Sequence, residues 1–495
     1  MTVQDFINGV SAGKVKSVAI IGGGPSGAIT LDALVREGGF EKIKVFERSS
    51  ELGGVWSLSK NKEEGKYVVP VAPGSTIDQL DPQLDIPEIG DKKTHKSKRS
   101  EQIRFTESAG YKGLRTNVPE QLMCFSDVKD WGVDAKHRIE KNYVFIESVR
   151  QYIQNYYDRH PKDHIILRTS VENVSKDYAN PNAKFVLTLR RETDEKDDVG
   201  NYLDEWYEEE FDAVVIATGH YHIPIIPKVP GLEKVFAKSP EKIIHSKYFK
   251  PRVHTFDNET VVVVGGRISG FDIATSLAKT SKTIYHSKKV IPEVKQRSDG
   301  FENIIEKPII KKVEIHDNDK ITVHFEDGTI VENVDRFIYG TGYHLSFPFM
   351  NKSYPGFTTG NILPDFYEHT FYAKDPLISL VGIPIQAITF RVFEYQAIWV
   401  ARFLSGKIKL PSLEEQIKWI LARYHALGNH QQYHSFADDK FEWPLKVIEL
   451  AGGVKLGSGR EFPIYTEEDK ELHAQILKRF AEEQHFFLDP TKQYF

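Results

Sequence analysis

Short apolar runs of β-branched residues, each closed by small residues and followed by a helical pattern, recur along the chain. Ser17–Ile21 (SVAII) reads as a buried strand, Gly22, Gly23, Gly24, Pro25, Ser26 and Gly27 as a tight turn, and AITLDALVRE as a helix. A second strand at 43–46 ends on Glu47. The same order returns at Thr260–Val264 (TVVVV), with Gly265, Gly266, Arg267, Ile268, Ser269 and Gly270 as the turn, FDIATSLAKT as the helix and a strand at 283–285. Each copy continues into further strands and closes on a small-residue turn. After the first come a helix over 143–157 with Val149, Tyr152, Ile153, Tyr156 and Tyr157 on one face, strands at HIILRTSVENV, FVLTLRRE and DEWYEEE, and DAVVIATGHY. After the second come VEIHD, KITVHF and TIVENV, the last two joined by the hairpin turn Asp327-Gly328, and then DRFIYGTGYH.

Gly22, Gly24 and Gly27 fit the spacing GxGxxG. The first glycine permits the turn, the second lets a pyrophosphate approach the backbone, and the third lets helix pack on strand. Pro25 and Ser26 then open a helix whose N-terminus faces the phosphates. Glu47, twenty residues past Gly27, suits a ribose hydroxyl and repels a 2′-phosphate, the pattern of an FAD site. In the second copy Arg267 replaces the middle glycine, and the next strand ends in His286, Ser287, Lys288 and Lys289 with no acid. Donors and positive charge there suit the 2′-phosphate of NADPH, which Gly265, Gly266, Ser269, Gly270, Ser287 and Lys288 are expected to hold. An exposed basic turn is the plainer account of the same residues. The predicted fold is α/β, with two Rossmann-like dinucleotide-binding domains. The NADPH domain, 221–335, is inserted into a discontinuous FAD domain, 1–220 and 336–495, and the ATG and GTG segments at Gly219 and Gly342 mark the crossings.

A length of 495 residues and 56.6 kDa fits this organisation, since it implies roughly two or three domains. With 65 basic against 70 acidic residues, no global field favours nucleic acid or an anionic membrane, so small molecules are the expected partners. Cys124 is the only cysteine, which excludes an intrachain disulfide, a CxxC redox pair and a cysteine-rich zinc site. The N-terminus lacks a basic start leading into a long apolar core, and no apolar run approaches the roughly 20 residues of a membrane span. The expected location is cytoplasmic, with no integral membrane segment and with peripheral association at the ER surface left open. Residues 60–105, with a basic end at 92–99, read as a solvated loop; His425, His430 and His434 read as surface or hydrogen-bonded histidines, and no metal site is expected.

Several further segments carry a resemblance. Glu47 followed by Gly53, Gly54, Val55 and Trp56, YKGLRTNVPEQLMCFSD at 111–127, ATGHYHIPIIPKVPG from Ala217, GTGYHLSFPF from Gly340, and DPLISLVGIP leading into EYQAIWVARFLSGKIKLPS together resemble the flavin-containing monooxygenases, class B flavoprotein monooxygenases. The likeness covers nearly the whole chain and looks strongest to fungal members. It implies FAD and NADPH as cofactors, with O2 and a thiol, thioether or amine as substrates. It further implies a hydroperoxide at C4a of the reduced flavin, whose distal oxygen passes to a soft sulfur or nitrogen nucleophile, as in N,N-dimethylaniline monooxygenases. Gly54, Val55, Trp56, Thr116, Asn117, Gly219 and Gly342 fall at cofactor positions of the resemblance. Asn117 matches the family's flavin-site asparagine, an amide that donates without titrating; a structural loop asparagine is the alternative.

The family fingerprint FxGxxxHxxx, followed by an aromatic residue or proline, is matched only in its second half, by His245 and Phe249. Ser239 and Glu241 stand at the Phe and Gly positions, and Phe236 lies three residues too early. Phe249 in place of Trp argues mildly against Baeyer-Villiger relatives. Ketone-inserting and N-hydroxylating monooxygenases remain alternatives, and a non-catalytic nucleotide-binding regulator is a remoter one. A flavin disulfide reductase would need a partner for Cys124.

Overall fold

Strand β1 (Ser17–Ile21) is buried along its whole length, as an unbroken apolar run covered on both faces must be. Helix α1 (Pro25–Glu37) and strand β2 (Lys42–Phe46) follow, and β2 pairs parallel with β1. Helix α2 (Ile146–Tyr157) turns Val149, Tyr152, Ile153, Tyr156 and Tyr157 into the core, and β3 (Ala213–Ile216) flanks β1 on the side away from β2. The second copy repeats the plan. Strand β4 (Thr260–Val264) leads to α3 (Ile268–Leu277) and β5 (Thr283–Ser287), and β6 (Arg336–Tyr339) flanks β4 opposite β5. The chain then returns to the first sheet through β7 (Ile378–Leu380), which lies parallel to β3, and continues into α4 (Thr389–Leu404). This is a computed structural model, and it describes residues 14–58, 69–89, 93–100, 107–111, 113–134, 138–140, 142–250, 256–289 and 301–482.

The first sheet has seven strands in the order Phe366–Tyr367, Phe371–Tyr372, β7, β3, β1, β2, Ile165–Ile166. The second has five: Ile243–His245, β6, β4, β5, Ile304–Lys307. In both, the strand feeding the glycine turn is internal, with the strand after the helix on one side and the closing strand on the other. Two hydrophobic cores follow the two sheets. At the crossings, Ile223–Pro224 pairs antiparallel with Tyr343–His344, a short ribbon where the chain leaves and re-enters the first half.

Three local expectations change. The second sheet takes in Arg336–Tyr339, with Phe337, Ile338 and Tyr339 in the second core, so the return begins after residue 339 and not at 336. Val71, from the chain's first third, also packs into that core. Within the expected loop over 60–105, Thr94–Lys98 is an edge strand on the acidic strand Tyr202–Phe211. Charge complementarity holds it there: Lys96 pairs with Glu195 at 2.5 Å and Arg99 with Asp204 at 3.0 Å. Residues 60–68, 90–92 and 101–105 of that loop lie outside the described residues.

Candidate active site

The two glycine turns have nearly the same geometry, bond for bond. Gly22 N–H donates to Phe46 O at 2.9 Å, and Gly265 N–H donates to Ser287 O at 2.9 Å. Gly22 has φ +115° and Gly265 has φ +133°, conformations that L side chains rarely adopt. A Cβ on Gly22 would meet Ala217 O at 2.5 Å, and one on Gly265 would meet Gly340 O at 2.4 Å. The ATG and GTG segments are therefore packed against the turns and fix their shape. The third glycines allow helix to touch turn: a Cβ on Gly27 would lie 2.1 Å from Gly22 O, and one on Gly270 would lie 2.0 Å from Gly265 O. Neither α1 nor α3 carries a side-chain cap at its N-terminus, so their first-turn N–H groups suit an anion. Arg267 has an extended backbone much like that of Gly24 (φ −106° against −85°), so the departure from glycine strains nothing.

Their surroundings differ. Gly23, Gly24, Pro25, Ser26 and Gly27 are buried, roofed by distant chain: Gly54 comes within contact of Gly24, a Cβ on Gly382 would meet Ser26 Oγ at 2.2 Å, and the Tyr157 hydroxyl donates to Gly24 O at 3.0 Å. Gly266, Arg267, Ile268 and Ser269 are exposed. Glu47 is anchored on the first turn, accepting from Gly23 N at 2.6 Å and Ser49 N at 2.7 Å. Each of its oxygens keeps a further lone pair for a ribose hydroxyl.

At the second turn Lys288 stands beside Gly266, whose Cβ would lie 3.0 Å from the Lys288 Cβ, and its ammonium pairs with Glu306 at 2.6 Å. Ser287 departs from the expected arrangement. It is buried, and its hydroxyl donates to Pro308 O at 2.8 Å, because the neighbouring strand, paired at Ser287 with Lys307, carries Pro308 past the strand's end. Lys288, the exposed Lys289 and the exposed Arg267 supply positive charge near this turn.

Of the expected flavin-side residues, Gly54 lies against the first turn, and Thr116 pairs with Val144 just before α2. Trp56 packs edge-on to Phe390 at 6.3 Å, joining the first core. Thr116 is buried, its N–H donating to Val144 O at 3.0 Å and its hydroxyl accepting from Val144 N at 3.2 Å. Asn117, next along the chain, is half-buried, and among the described residues its side chain makes no hydrogen bond. His245 is engaged at both nitrogens, Nε2 donating to Gly342 O at 3.0 Å and Nδ1 accepting from Lys247 N at 3.1 Å, so it ties its own turn to the GTG crossing. Gly219 and Gly342 turn the two crossings with φ +66° and +84°. His434 is buried and accepts from Leu363 N at 3.0 Å, and His430 accepts from Gln432 N at 3.2 Å, both within the fold's own hydrogen bonding.

Two groups escaped the sequence reading. Both ring nitrogens of His220 are buried without a hydrogen-bond partner, and burial pushes its pKa down to about 4 despite the nearby Gly382 backbone. One residue beyond the ATG turn, this imidazole has capacity to bond a ligand. Lys247 is 2% exposed, and burial, helped by the Arg48 charge, pushes it down to about 7; its ammonium donates to His222 O at 2.8 Å. The glycine cradles, the anchored acid and the unsatisfied His220 fit dinucleotide cofactors.

Residues 15–71 match a family model described as flavin-binding monooxygenase-like, and residues 208–382 match one described as pyridine nucleotide-disulphide oxidoreductase. The flavin-containing monooxygenase FMO GS-OX-like 8 of Arabidopsis thaliana is 30% identical over 461 residues, covering 90% of this chain and 88% of that protein. The chain belongs to the flavin-containing monooxygenase family. A fungal member, flavin-containing monooxygenase ustF2 of Aspergillus flavus, is 27% identical over 458 residues, 84% of this chain and 88% of that protein. The solved S-allyl-L-cysteine S-oxygenase of Allium sativum superposes with a TM-score of 0.71 at 26% identity, over 97% of this chain and 95% of that one.

As a flavin-containing monooxygenase the chain is an FAD-dependent oxidoreductase that uses NADPH and acts on a small molecule with O2. The disulphide-oxidoreductase likeness, over residues 208–382, takes in the second nucleotide fold and not thiol chemistry. The sole cysteine, Cys124, is buried, and burial pushes its thiol far up. No helix among the described residues is long and apolar enough to cross a membrane.

Proposed function

We propose that the first glycine turn holds FAD, that the second holds NADPH, and that the protein transfers one oxygen atom of O2 to soft sulfur or nitrogen nucleophiles. The observation that carries the reading is the contrast between two otherwise equal turns. One is roofed by distant chain and faces an anchored acid, as suits a cofactor kept in place; the other is open and lies beside lysine and arginine, as suits a 2′-phosphorylated coenzyme that comes and goes. Gly22, Gly24, Pro25, Ser26 and Gly27 receive the FAD pyrophosphate and Glu47 its ribose, with Gly54, Val55, Trp56 and Gly219 along the ring system. Gly265, Gly266, Ser269, Gly270 and Lys288 receive NADPH, while Ser287 braces Lys288 from inside and Gly342 shapes the crossing.

NADPH, O2, a proton and substrate give oxygenated substrate, water and NADP+; the bound flavin supplies the oxygen activation. The chain orients the two cofactors, excludes water, and through Asn117 offers an N–H to the oxygen being transferred. Thr116 positions Asn117. Sulfur is the favoured acceptor because the S-oxygenase likeness extends over the whole chain at 26% identity. We read the protein as cytoplasmic.

Purified protein given NADPH and a panel of thioethers, thiols, amines and cyclic ketones is expected to form S- or N-oxides, read by mass spectrometry. A lactone as the main product, or hydrogen peroxide alone, would overturn the reading.

The assignment of the turns has its own test. In Gly27→Ala the new methyl meets backbone at Gly22 O and the Tyr157 hydroxyl, neither of which yields easily. That variant should purify depleted of FAD. Gly270→Ala should stay yellow yet need about ten- to a hundredfold more NADPH for half-maximal flavin reduction. The reverse pattern would exchange the two assignments.

A further inference from the structure

Beyond the ribbon, the halves meet along the short stretch of chain that leads to Asn117. Residues 107–111 are held by the second half. Lys250, buried, directs its ammonium to Gly110 O at 3.2 Å, Ser108 O at 3.4 Å and Glu107 Oε2 at 3.6 Å. The Tyr111 hydroxyl donates to Asp272 Oδ2, on α3 two residues past Gly270. The same stretch is sewn to the first half. Ser108 Oγ donates to Val55 O at 3.2 Å, Ile146 N to Leu114 O at 2.8 Å, and Thr116 N to Val144 O at 3.0 Å, while Arg115 bridges Phe145. Burial raises both Tyr111 and Asp272, so the phenol keeps its proton at neutral pH.

Helix α3 is packed tightly on its glycine turn, since a Cβ on Gly270 would lie 2.0 Å from Gly265 O. A nucleotide bound at that turn therefore acts on Asp272, and Asp272 acts on the chain before Asn117. We propose that the Tyr111–Asp272 hydrogen bond is the link by which nucleotide on the second turn orders the Asn117 segment on the flavin side, with Tyr111 and Asp272 as positioning residues. The proposal rests on the reading of the second turn as the NADPH site.

Hydrogen–deuterium exchange of the FAD-loaded protein with and without NADP+ tests both. NADP+ should slow exchange across 260–288 and also in peptides covering 107–111 and 113–119. In Tyr111→Phe and Asp272→Ala the first protection should persist, while the second falls about two- to tenfold, the worth of one hydrogen bond. Asp272→Asn, whose amide oxygen still accepts from the phenol, should restore most of it. The same two disrupting variants should raise the share of NADPH electrons released as hydrogen peroxide. Absence of protection at 260–288 in the unmodified protein would overturn the site reading. Protection there with none at 107–119, or unchanged coupling in both disrupting variants, would overturn the link alone.

Discussion

Arg460→Ala is expected to destabilise the protein by up to roughly 3–5 kcal/mol, the cost of removing the central cation from a buried charge cluster in which Asp32 keeps Arg36 and Asp127 keeps Arg36 and Arg159, each at 2.9 Å. Arg460 is 3% exposed at its side chain and reaches three acids from three remote stretches: Asp32 on α1 at 2.6 Å, Asp127 at 2.6 Å and Glu394 on α4 at 2.6 Å. Asp32 and Glu394 are almost fully buried, at 1% and 0% side-chain exposure, so water cannot replace the guanidinium. Asp127 is more open, at 29%, and contributes less. The cluster joins α1, which opens at the first glycine turn, to α4 and to the chain around residue 460. Urea unfolding followed by flavin fluorescence should show the loss together with earlier flavin release, and Arg460→Lys should recover part of it.

The pH dependence of the deficit separates this account from lost packing. Burial alone would raise the Asp32 carboxyl, but the His160 hydrogen bond and the Arg460 and Arg36 charges outweigh it and hold it below its ordinary value. For Asp127, burial is likewise outweighed by the Arg460 hydrogen bond and charge, and the group lies well below the usual carboxylate range. A carboxyl depressed in the folded state contributes stability above its unfolded value, about 4, and loses that contribution as pH falls through the folded value. The unmodified protein should therefore weaken steadily below about pH 4. In Arg460→Ala the Asp32 and Asp127 carboxyls, held then by their other partners alone, protonate more easily, so the gap between the two proteins should narrow on acidification. A gap that stays constant from neutral pH downward would reassign the loss to packing of the arginine stem.

What the sequence made legible, and what it hid, follows the range of the interactions. Strand, glycine turn and helix form within about thirty residues of chain, so both nucleotide folds and their acid or lysine termini could be read directly. Ser287 misled because a donor at a strand end was placed by type, whereas the strand paired with it at Lys307 brings Pro308 to its hydroxyl. Residues 94–98 looked like solvated charge, yet the partners that make them a strand lie at 195 and at 202–211. Cross-strand fit is not a local property. The roof over the first turn is drawn from Gly54, Tyr157 and Gly382, three positions far apart in the chain. Arg460 had no signal at all, since its three acids sit at 32, 127 and 394 and nothing around it suggests more than an exposed basic turn.

Asn117→Ala should separate oxygen transfer from every earlier step. The segment around the residue is fixed without its help: Thr116 and Leu114 pair through their backbones with Val144 and Ile146, and the Thr116 hydroxyl accepts from Val144. Removing the amide therefore leaves the backbone in place. FAD binding and flavin reduction by NADPH should be largely unchanged, since neither needs a donor at this position. What should fail is the delivery of oxygen to substrate, because an N–H aimed at developing charge in a water-poor site is worth roughly 2.7–4 kcal/mol, about a hundred- to a thousandfold in the step it supports. NADPH oxidation should continue while hydrogen peroxide replaces the oxygenated product, with both measured in one reaction. Asn117→Asp should do no better than alanine, because an ionised carboxylate only accepts; Asn117→Ser, which keeps a donor, should recover part of the yield. Leu114→Ala, on the same stretch but without a polar group, serves as the packing control and should stay coupled. If Asn117→Ala kept its product yield, or lost FAD as a misfolded chain would, the residue would be a loop asparagine and the oxygen-site donor would have to be sought at the unsatisfied imidazole of His220.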